Sequence, residues 1–162
     1  MLFGIFHAGF AFMTTAYDTD LDRNAANFVA LSPLSFIART AAVYPQRLAI
    51  IHGSRRQTWC QTYARCRQLA SALQHWGIRR GDTVAVMMGS TLDFIRVWLG
   101  LQYRGAVGVL LNTELSGAFL AHQLANCGCA FAIADATLAP RVVAAAPQAP
   151  AGGGHLRRAL PP

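Results

Sequence analysis

Residues 82–111, DTVAVMMGSTLDFIRVWLGLQYRGAVGVLL, place a strand, a helix and a second strand in immediate succession. The segment from Asp82 to Met88 is apolar on both faces from Val84 onward, as strands of a covered parallel sheet are. A helix is predicted from Leu92 to Tyr103, and the apolar run from Val107 to Leu111 predicts the second strand. Strands joined by a crossover helix are expected to lie parallel in one sheet.

The pattern continues toward the carboxyl terminus. Residues Ser116 to Cys127 form an amphipathic segment that predicts a helix with Phe119, Leu120 and Leu124 facing inward. The run from Ala130 to Ala134 predicts a third strand. The whole is an α/β fold of the βαβαβ type, with three parallel strands and helices packed on the sheet.

Two further helices are predicted on the amino-terminal side. Ser32 is placed to cap a helix whose first residue is Pro33, and Pro45 limits that helix. The second helix runs from about Gln61 to Trp76, where apolar residues recur at spacings of three and four, and Gly77 ends it.

A small β-hairpin is predicted between these helices. Leu48 to His52 reads as a strand, and Gly53-Ser54 is a plausible tight turn with glycine first. The residues from Gln57 to Trp59 are expected to return antiparallel.

The composition excludes several kinds of chemistry. Of 162 residues, 54% are hydrophobic and 13% are charged, which is typical of a folded chain rather than a disordered one. All fourteen basic residues are arginine, so mechanisms that need a lysine amine, such as a phosphate-loop lysine or a Schiff base, are excluded. The net charge is +7, but the arginines are scattered, so no nucleic-acid partner is expected.

The four cysteines do not have the spacing of a metal site. Cys60 and Cys66 are expected on different faces of one helix, and Cys127-Gly128-Cys129 is too tight for a structural zinc pair. Reduced thiols in a cytoplasmic protein are therefore predicted, and no metal ligands are assigned.

The first thirteen residues are apolar but lack the positive charge that opens a signal peptide, and they are too short to span a membrane. We expect translation to start at Met13, so that residues 1–12 are not translated; a segment that touches a membrane is the alternative. Asp18, Asp20 and Asp22 could suggest a cation site but are expected to be solvated charge. The cytoplasm is the expected location.

If the sheet forms as predicted, ligands would bind at the carboxyl ends of its strands. Ligand-binding residues are therefore expected in the loops after Met88, after Asn112 and after Asp135. None of these loops carries a glycine-rich nucleotide motif. Asn112 and Thr113 could line a pocket, although capping of the next helix is the favoured interpretation.

Three other side chains are open to a functional and a structural interpretation. His122 could be a ligand or a base, but a packed or surface histidine is favoured because no matching carboxylate motif accompanies it. Trp76 and Trp98 fall on helical faces and are predicted to be core residues.

Many short segments carry a family resemblance in the same order along residues 18 to 147. These segments are Leu21-Asp22-Arg23-Asn24, Leu31-Ser32-Pro33-Leu34-Ser35-Phe36, Val43-Tyr44-Pro45, Ile51-His52-Gly53, Thr58-Trp59, Arg80-Gly81-Asp82-Thr83-Val84-Ala85-Val86, Val97-Trp98-Leu99-Gly100-Leu101, Gly105-Ala106-Val107 and Leu111-Asn112-Thr113. Together they resemble the amino-terminal part of adenylate-forming acyl-CoA synthetases, with the fatty-acyl-CoA ligases the most similar branch. The chain departs from that pattern at Gln61-Thr62, where Glu-Leu is expected, and at Gly89-Ser90, where Pro-Asn is expected.

The resemblance implies an activity for the full-length family. Such enzymes join a fatty or other carboxylic acid to ATP with Mg²⁺, form an acyl-adenylate, and transfer the acyl group to coenzyme A. The motifs that perform this chemistry are expected beyond the end of this chain. No catalytic residue, cofactor-binding residue or metal ligand is therefore assigned, and no cofactor is expected to bind this part alone.

Two functions follow as hypotheses. The first is a partial acyl-CoA synthetase that is inactive alone. The second is a non-catalytic α/β interaction module that associates, with itself or a partner, through an exposed sheet edge or an apolar face. The predicted organisation is an extension over 1–31, a partial ligase domain over 32–138, and an Ala/Pro/Gly-rich tail without fold over 139–162.

Overall fold

The computed structural model describes residues 24, 28–29, 31–146 and 157–158. The chain divides into two compact units, residues 1–31 and residues 32–162. In the first unit, the Phe28 N–H donates to the Asn24 carbonyl at 2.9 Å, which forms a single turn. The predicted start at Met13 and the aspartates of residues 18–22 lie outside the described residues.

The second unit contains five helices and six strands among its described residues. In chain order they are α1 (Pro33–Val43), β1 (Leu48–His52), β2 (Arg55–Thr58), α2 (Trp59–His75), β3 (Thr83–Met87), α3 (Leu92–Arg104), β4 (Val107–Leu110), α4 (Gly117–Asn126), β5 (Phe131–Ala134), α5 (Ala139–Ala145) and β6 (Arg157–Arg158).

The main sheet is parallel and has the strand order β4-β3-β5-β6. In its register, Val84 of β3 lies between Gly108 of β4 and Phe131 of β5. The residues of β3 from Val84 to Met87 are at most 1% exposed, because neighbouring strands flank β3 and helices cover both of its faces. The predicted parallel βαβαβ unit is therefore confirmed.

Two hydrophobic cores lie on opposite faces of this sheet. The core on the α2/α3 face consists of Leu73, Ile78, Val84, Val86, Val97, Leu101, Ala106 and Phe131. The core on the α4/α5 face consists of Ala85, Met87, Leu111, Leu120, Ala121, Leu124, Cys129, Val142 and Ala145. Alternate residues of β3 enter opposite cores, which explains why the whole strand is apolar.

Strands β1 and β2 form a separate antiparallel hairpin, as predicted. Its turn contains Gly53 with φ +58°, a backbone conformation that glycine adopts without steric cost. The return strand begins at Arg55, two residues earlier than predicted, because the His52–Arg55 pair extends the ladder up to the turn.

Helix α2 begins immediately after β2 through a capping box. The Thr58 hydroxyl accepts from the Gln61 N–H at 3.3 Å, and the Gln61 side chain accepts from the Thr58 N–H at 3.0 Å. Gln61 thus keeps the reciprocal hydrogen bonds that glutamate makes at this position. Cys60 is exposed and Cys66 is fully buried, so the prediction that they lie on different faces is confirmed.

Helices α2 and α3 pack closely at Gly100. A Cβ atom at this position would lie 2.8 Å from Cδ2 of Leu69 and 3.1 Å from its Cβ. The contact leaves no room for a side chain, so glycine is what allows these helices to approach.

The predicted inward orientation of Phe119 is wrong, because this side chain is 78% exposed. The buried stripe of α4 consists of Leu120, Ala121 and Leu124. Residues of a helix advance by about 100° each, so Phe119 lies outside this stripe, on the solvent side.

Helix α5 occupies residues for which a tail without fold was predicted. Pro140 stands in its first turn, and Val142 and Ala145 are buried against the sheet. A seven-residue helix has little stability alone, so the burial of these two side chains is what holds it.

Candidate functional site

The three loops predicted to carry a ligand site lie at the carboxyl end of the parallel strands. They are the loop 88–91 after β3, the loop 111–116 after β4 and the loop 135–138 after β5. The loop after β3 leads to a helix on the α2/α3 face, whereas those after β4 and β5 lead to helices on the α4/α5 face. Loops that diverge in this way leave the crevice in which α/β proteins bind ligands.

Asp135 bridges that crevice from within the chain. Its carboxylate oxygen Oδ2 accepts from the Gly89 N–H at 2.7 Å, and its own N–H donates to the Met87 carbonyl at 3.1 Å. A side chain at position 89 would begin 3.6 Å from the same oxygen, in van der Waals contact. Asp135 therefore joins the loop after β3 to the loop after β5.

The loop after β4 is also held by local hydrogen bonds. The Asn112 side-chain oxygen accepts from the Glu114 N–H at 2.9 Å, which forms an Asx turn before α4. The Arg141 guanidinium donates to the Thr113 carbonyl at 3.0 Å and so ties this loop to α5. These contacts favour the structural interpretation of Asn112 and Thr113 over a pocket lining.

His122 is exposed on α4, as its surface interpretation requires. Trp76 packs against the core of the α2/α3 face, which confirms its prediction. The prediction that Trp98 is a core residue is wrong, because it is 36% exposed and lies beside Phe94 with ring centroids 6.3 Å apart. Residues 94, 95 and 98 extend the apolar surface of α3 beyond the stripe that the sheet covers.

An apolar groove forms where this extra surface meets β4. It is lined by Phe94, Ile95, Trp98 and Leu110. In the described part of the chain, β4 is an edge strand. The Val107 and Leu111 N–H groups bond toward β3, so Gly108 and Leu110 present backbone groups to the open side. The sequence signal for this groove was the adjacent apolar pair at 94 and 95.

A cluster of charges joins the hairpin to α3. Asp93 accepts a hydrogen bond from Arg55 at 3.0 Å and forms an ion pair with Arg96, also at 3.0 Å. These contacts, above all the hydrogen bond from Arg55, lower the pKa of the Asp93 carboxyl. Burial lowers the pKa of Arg96, and its Nε has no hydrogen-bond partner. The cluster has the character of a structural clamp, since both of its acceptor oxygens are occupied.

The polar side chains at the strand ends make their hydrogen bonds within the chain. Over residues 31–146, no three His, Cys, Asp or Glu side chains group as metal ligands. The carboxylate of Asp135 and the amide oxygen of Asn112, which lie at the strand ends, are bonded to backbone N–H groups. The chain also has no lysine that could bind a phosphate group. This region therefore consists of loops that hydrogen bonds join to one another, and we assign no reacting group to it.

The fold and this edge define a class of protein: a parallel α/β unit of the kind that other proteins use to bind nucleotides at the strand ends. Comparison with known proteins identifies the family. The AMP-binding enzyme family matches residues 37–157, and the chain belongs to it.

Two plant enzymes are among the similar proteins. The chain is 42% identical over 116 residues to acetate–CoA ligase CCL3 of Humulus lupulus, which covers 72% of this chain and 20% of that protein. It is 42% identical over 107 residues to the peroxisomal acetate/butyrate–CoA ligase AAE7 of Arabidopsis thaliana, with 66% of this chain and 19% of that protein covered. The chain thus spans about a fifth of the length of these relatives.

A solved structure supports the same assignment. The fatty acyl CoA synthetase of Mycobacterium tuberculosis matches with a TM-score of 0.69 and 28% identity, covering 78% of this chain and 26% of that one. The resemblance to the amino-terminal part of adenylate-forming CoA ligases, inferred from short segments, is therefore confirmed. Within the described residues, none of the helices combines the length and the apolar character needed to cross a membrane.

Proposed function

We propose that this chain is a structural part of a carboxylic acid–CoA ligase, an enzyme that forms an acyl-adenylate from ATP and passes the acyl group to coenzyme A. The family match over residues 37–157 carries this proposal. The geometry supports a framework role, because the polar groups at the strand ends bond to the chain itself. No reaction step is assigned to its own residues.

Short carboxylic acids are the favoured substrates. The relatives that are 42% identical are named for acetate and butyrate, whereas the sequence resemblance alone favoured fatty acids. In the isolated chain we expect no acid-dependent exchange of pyrophosphate into ATP, because Asp135 and Asn112 at the strand ends are bonded to backbone N–H groups and the chain has no lysine to bind a phosphate. Exchange above that of a heat-killed sample, with acetate, butyrate or palmitate, would contradict this expectation.

A chimera tests the framework role directly. The segment of the Humulus acetate–CoA ligase that aligns with residues 32–146 is replaced by those residues, and acetate-dependent CoA thioester formation is measured. We expect activity to survive, since 42% identity over 116 residues predicts the same sheet and loops in both proteins. A matched chimera with Asp135→Ala should fold but lose activity as its loops separate. A well-folded chimera without activity would contradict the proposal.

The second candidate function is an interaction module, and the open edge of β4 beside the apolar groove favours it. Pairing of β4 with another chain would satisfy the backbone groups of Gly108 and Leu110 and cover the groove. Light scattering across a range of concentrations measures self-association. Leu110→Lys should abolish it, whereas Phe119→Lys, which removes an apolar side chain from α4 that is more exposed (78% against 49%), should not. A chain that stays monomeric throughout removes self-association from consideration.

For the location, we retain the cytoplasm, although the names of several relatives place those proteins in the peroxisome. A fluorescent fusion of the full chain, imaged beside a peroxisomal marker, distinguishes the two. Punctate signal coincident with the marker would overturn the cytoplasmic prediction.

A further inference from the structure

Two thiols meet in the turn between α4 and β5. The Sγ atoms of Cys127 and Cys129 are 3.2 Å apart, and both approach the Leu124 carbonyl, at 3.4 and 3.7 Å. Gly128 between them has φ +59°, the left-handed conformation that glycine adopts readily. This turn points both sulfurs to the same side, so they contact each other.

We propose that Cys127 and Cys129 form a redox pair that closes into an intramolecular disulfide when the protein meets hydrogen peroxide. The inference is independent of the ligase function. A disulfide bond is about 2 Å long, so the sulfurs need to approach by only about 1 Å. The short Cys-Gly-Cys spacing, unsuited to zinc, thus suits a different chemistry.

The two residues have different parts in the reaction. Cys127 is half-buried and Cys129 is 2% exposed, so peroxide reaches Cys127 first. The Cys127 thiol attacks one peroxide oxygen, the O–O bond breaks, and Cys127 sulfenic acid and one water form. The Cys129 sulfur then attacks the Cys127 sulfur, the S–O bond breaks, and the departing hydroxide takes the Cys129 proton to form a second water. Two thiols are oxidised and one peroxide is reduced.

Burial also makes Cys129 a poor target on its own. Desolvation and the neighbouring Cys127 thiol raise the pKa of Cys129, which keeps it protonated and slow toward peroxide in solution. Its contact with the Cys127 sulfur gives it one nearby partner. A resolving thiol with this placement intercepts the sulfenic acid before further oxidation.

Peptide mapping provides a direct test. Trypsin cuts this chain only after arginine, and the peptide 105–141 carries Cys127 and Cys129 but neither of the other cysteines. After peroxide treatment of the folded chain, we expect this peptide to be lighter by two hydrogen atoms and to resist alkylation. Cys127→Ser and Cys129→Ser should each abolish that species, and Cys60→Ser should leave it unchanged.

A second comparison separates the native geometry from the mere proximity of the cysteines in sequence. Closure should be about tenfold faster in the folded chain than in guanidinium, because the fold holds the sulfurs in contact. Gly128→Ala should slow closure in the folded chain several-fold, because alanine strains a turn that needs φ +59° at this position. A steric clash does not contribute, since a Cβ atom at position 128 meets no atom within 4 Å. Equal rates in buffer and guanidinium, or a peptide that keeps both thiols while Cys60 reacts, would overturn the proposal.

Discussion

The two faces of the parallel sheet are built differently. On the α2/α3 face, helices of 17 and 13 residues pack closely through Gly100, and the hairpin is clamped to α3 by Asp93. On the α4/α5 face, helices of 10 and 7 residues cover the sheet. Sheet stability should therefore concentrate on the α2/α3 face, and the α4/α5 face should open first.

The largest effect should come from truncating one fully buried leucine on each face. Leu73 in α2 and Leu120 in α4 are both 0% exposed. Each change to alanine should lower the free energy of unfolding by about 2–5 kcal/mol. Leu73→Ala should lie toward the upper end, because the tightly packed helices around it cannot collapse into the cavity. Urea unfolding followed by circular dichroism measures both losses. A larger loss in Leu120→Ala than in Leu73→Ala would contradict the greater stability of the α2/α3 face.

A smaller loss is expected where the loops that lead to the two faces are joined. Asp135→Ala removes the acceptor for the Gly89 N–H, and a half-buried donor left without a partner costs about 1–3 kcal/mol. Asp135→Asn keeps an oxygen at this position and should lose less. Urea unfolding of both variants provides the measurement, and equal losses would mean that the hydrogen bond is not what holds the loops.

Thr62 on α2 should give a gain in stability. This residue is 3% exposed, and its hydroxyl has no hydrogen-bond partner. Thr62→Val removes the unpaired hydroxyl at nearly constant volume and should stabilise the fold by about 1 kcal/mol. Thr40→Val is the control, since the Thr40 hydroxyl donates to the Phe36 carbonyl at 2.7 Å. A shift of the thermal midpoint to lower temperature in Thr62→Val would contradict the assignment.

The smallest effect concerns the clamp at Asp93, which is a surface group. Asp93→Asn should cost a few tenths of a kcal/mol at neutral pH, as exposed ion pairs do. The pKa of Asp93 is lowered on folding, so its contribution is present above the unfolded value of about 4 and disappears as the pH falls through the folded value. Unfolding of both proteins should therefore converge in acid. A difference that persists at low pH would point to another cause.

The parts of the fold that were predictable are those with local causes. The Ser32 cap, the stop at Gly77 after α2 and the continuous apolar strand β3 act through near neighbours in sequence. The exposure of Phe119 and the existence of α5 depend on which surfaces the sheet leaves open, and no local pattern records that.

The candidate site divides in the same way. Its location at the strand ends was predictable from topology. Capping of α4 by Asn112 was the favoured interpretation, but the cap position is Ser116 and the Asn112 side chain forms an Asx turn with the Glu114 N–H instead. The bridge from Asp135 to Gly89 joins residues 46 positions apart, and the contact of Cys127 with Cys129 depends on a positive φ at Gly128. Such arrangements require the three-dimensional structure.

The direct passage from β2 into α2 has a mechanical consequence. Thr58 is both the last residue of the hairpin and the cap of α2, so no linking residue that could act as a hinge lies between the two elements. The N–H groups of Trp59 and Cys60 also bond to the carbonyls of Arg47 and Pro45, which brace the joint from the other side. A displacement of the hairpin would therefore be transmitted directly to the first turn of α2, because no flexible residue separates the two.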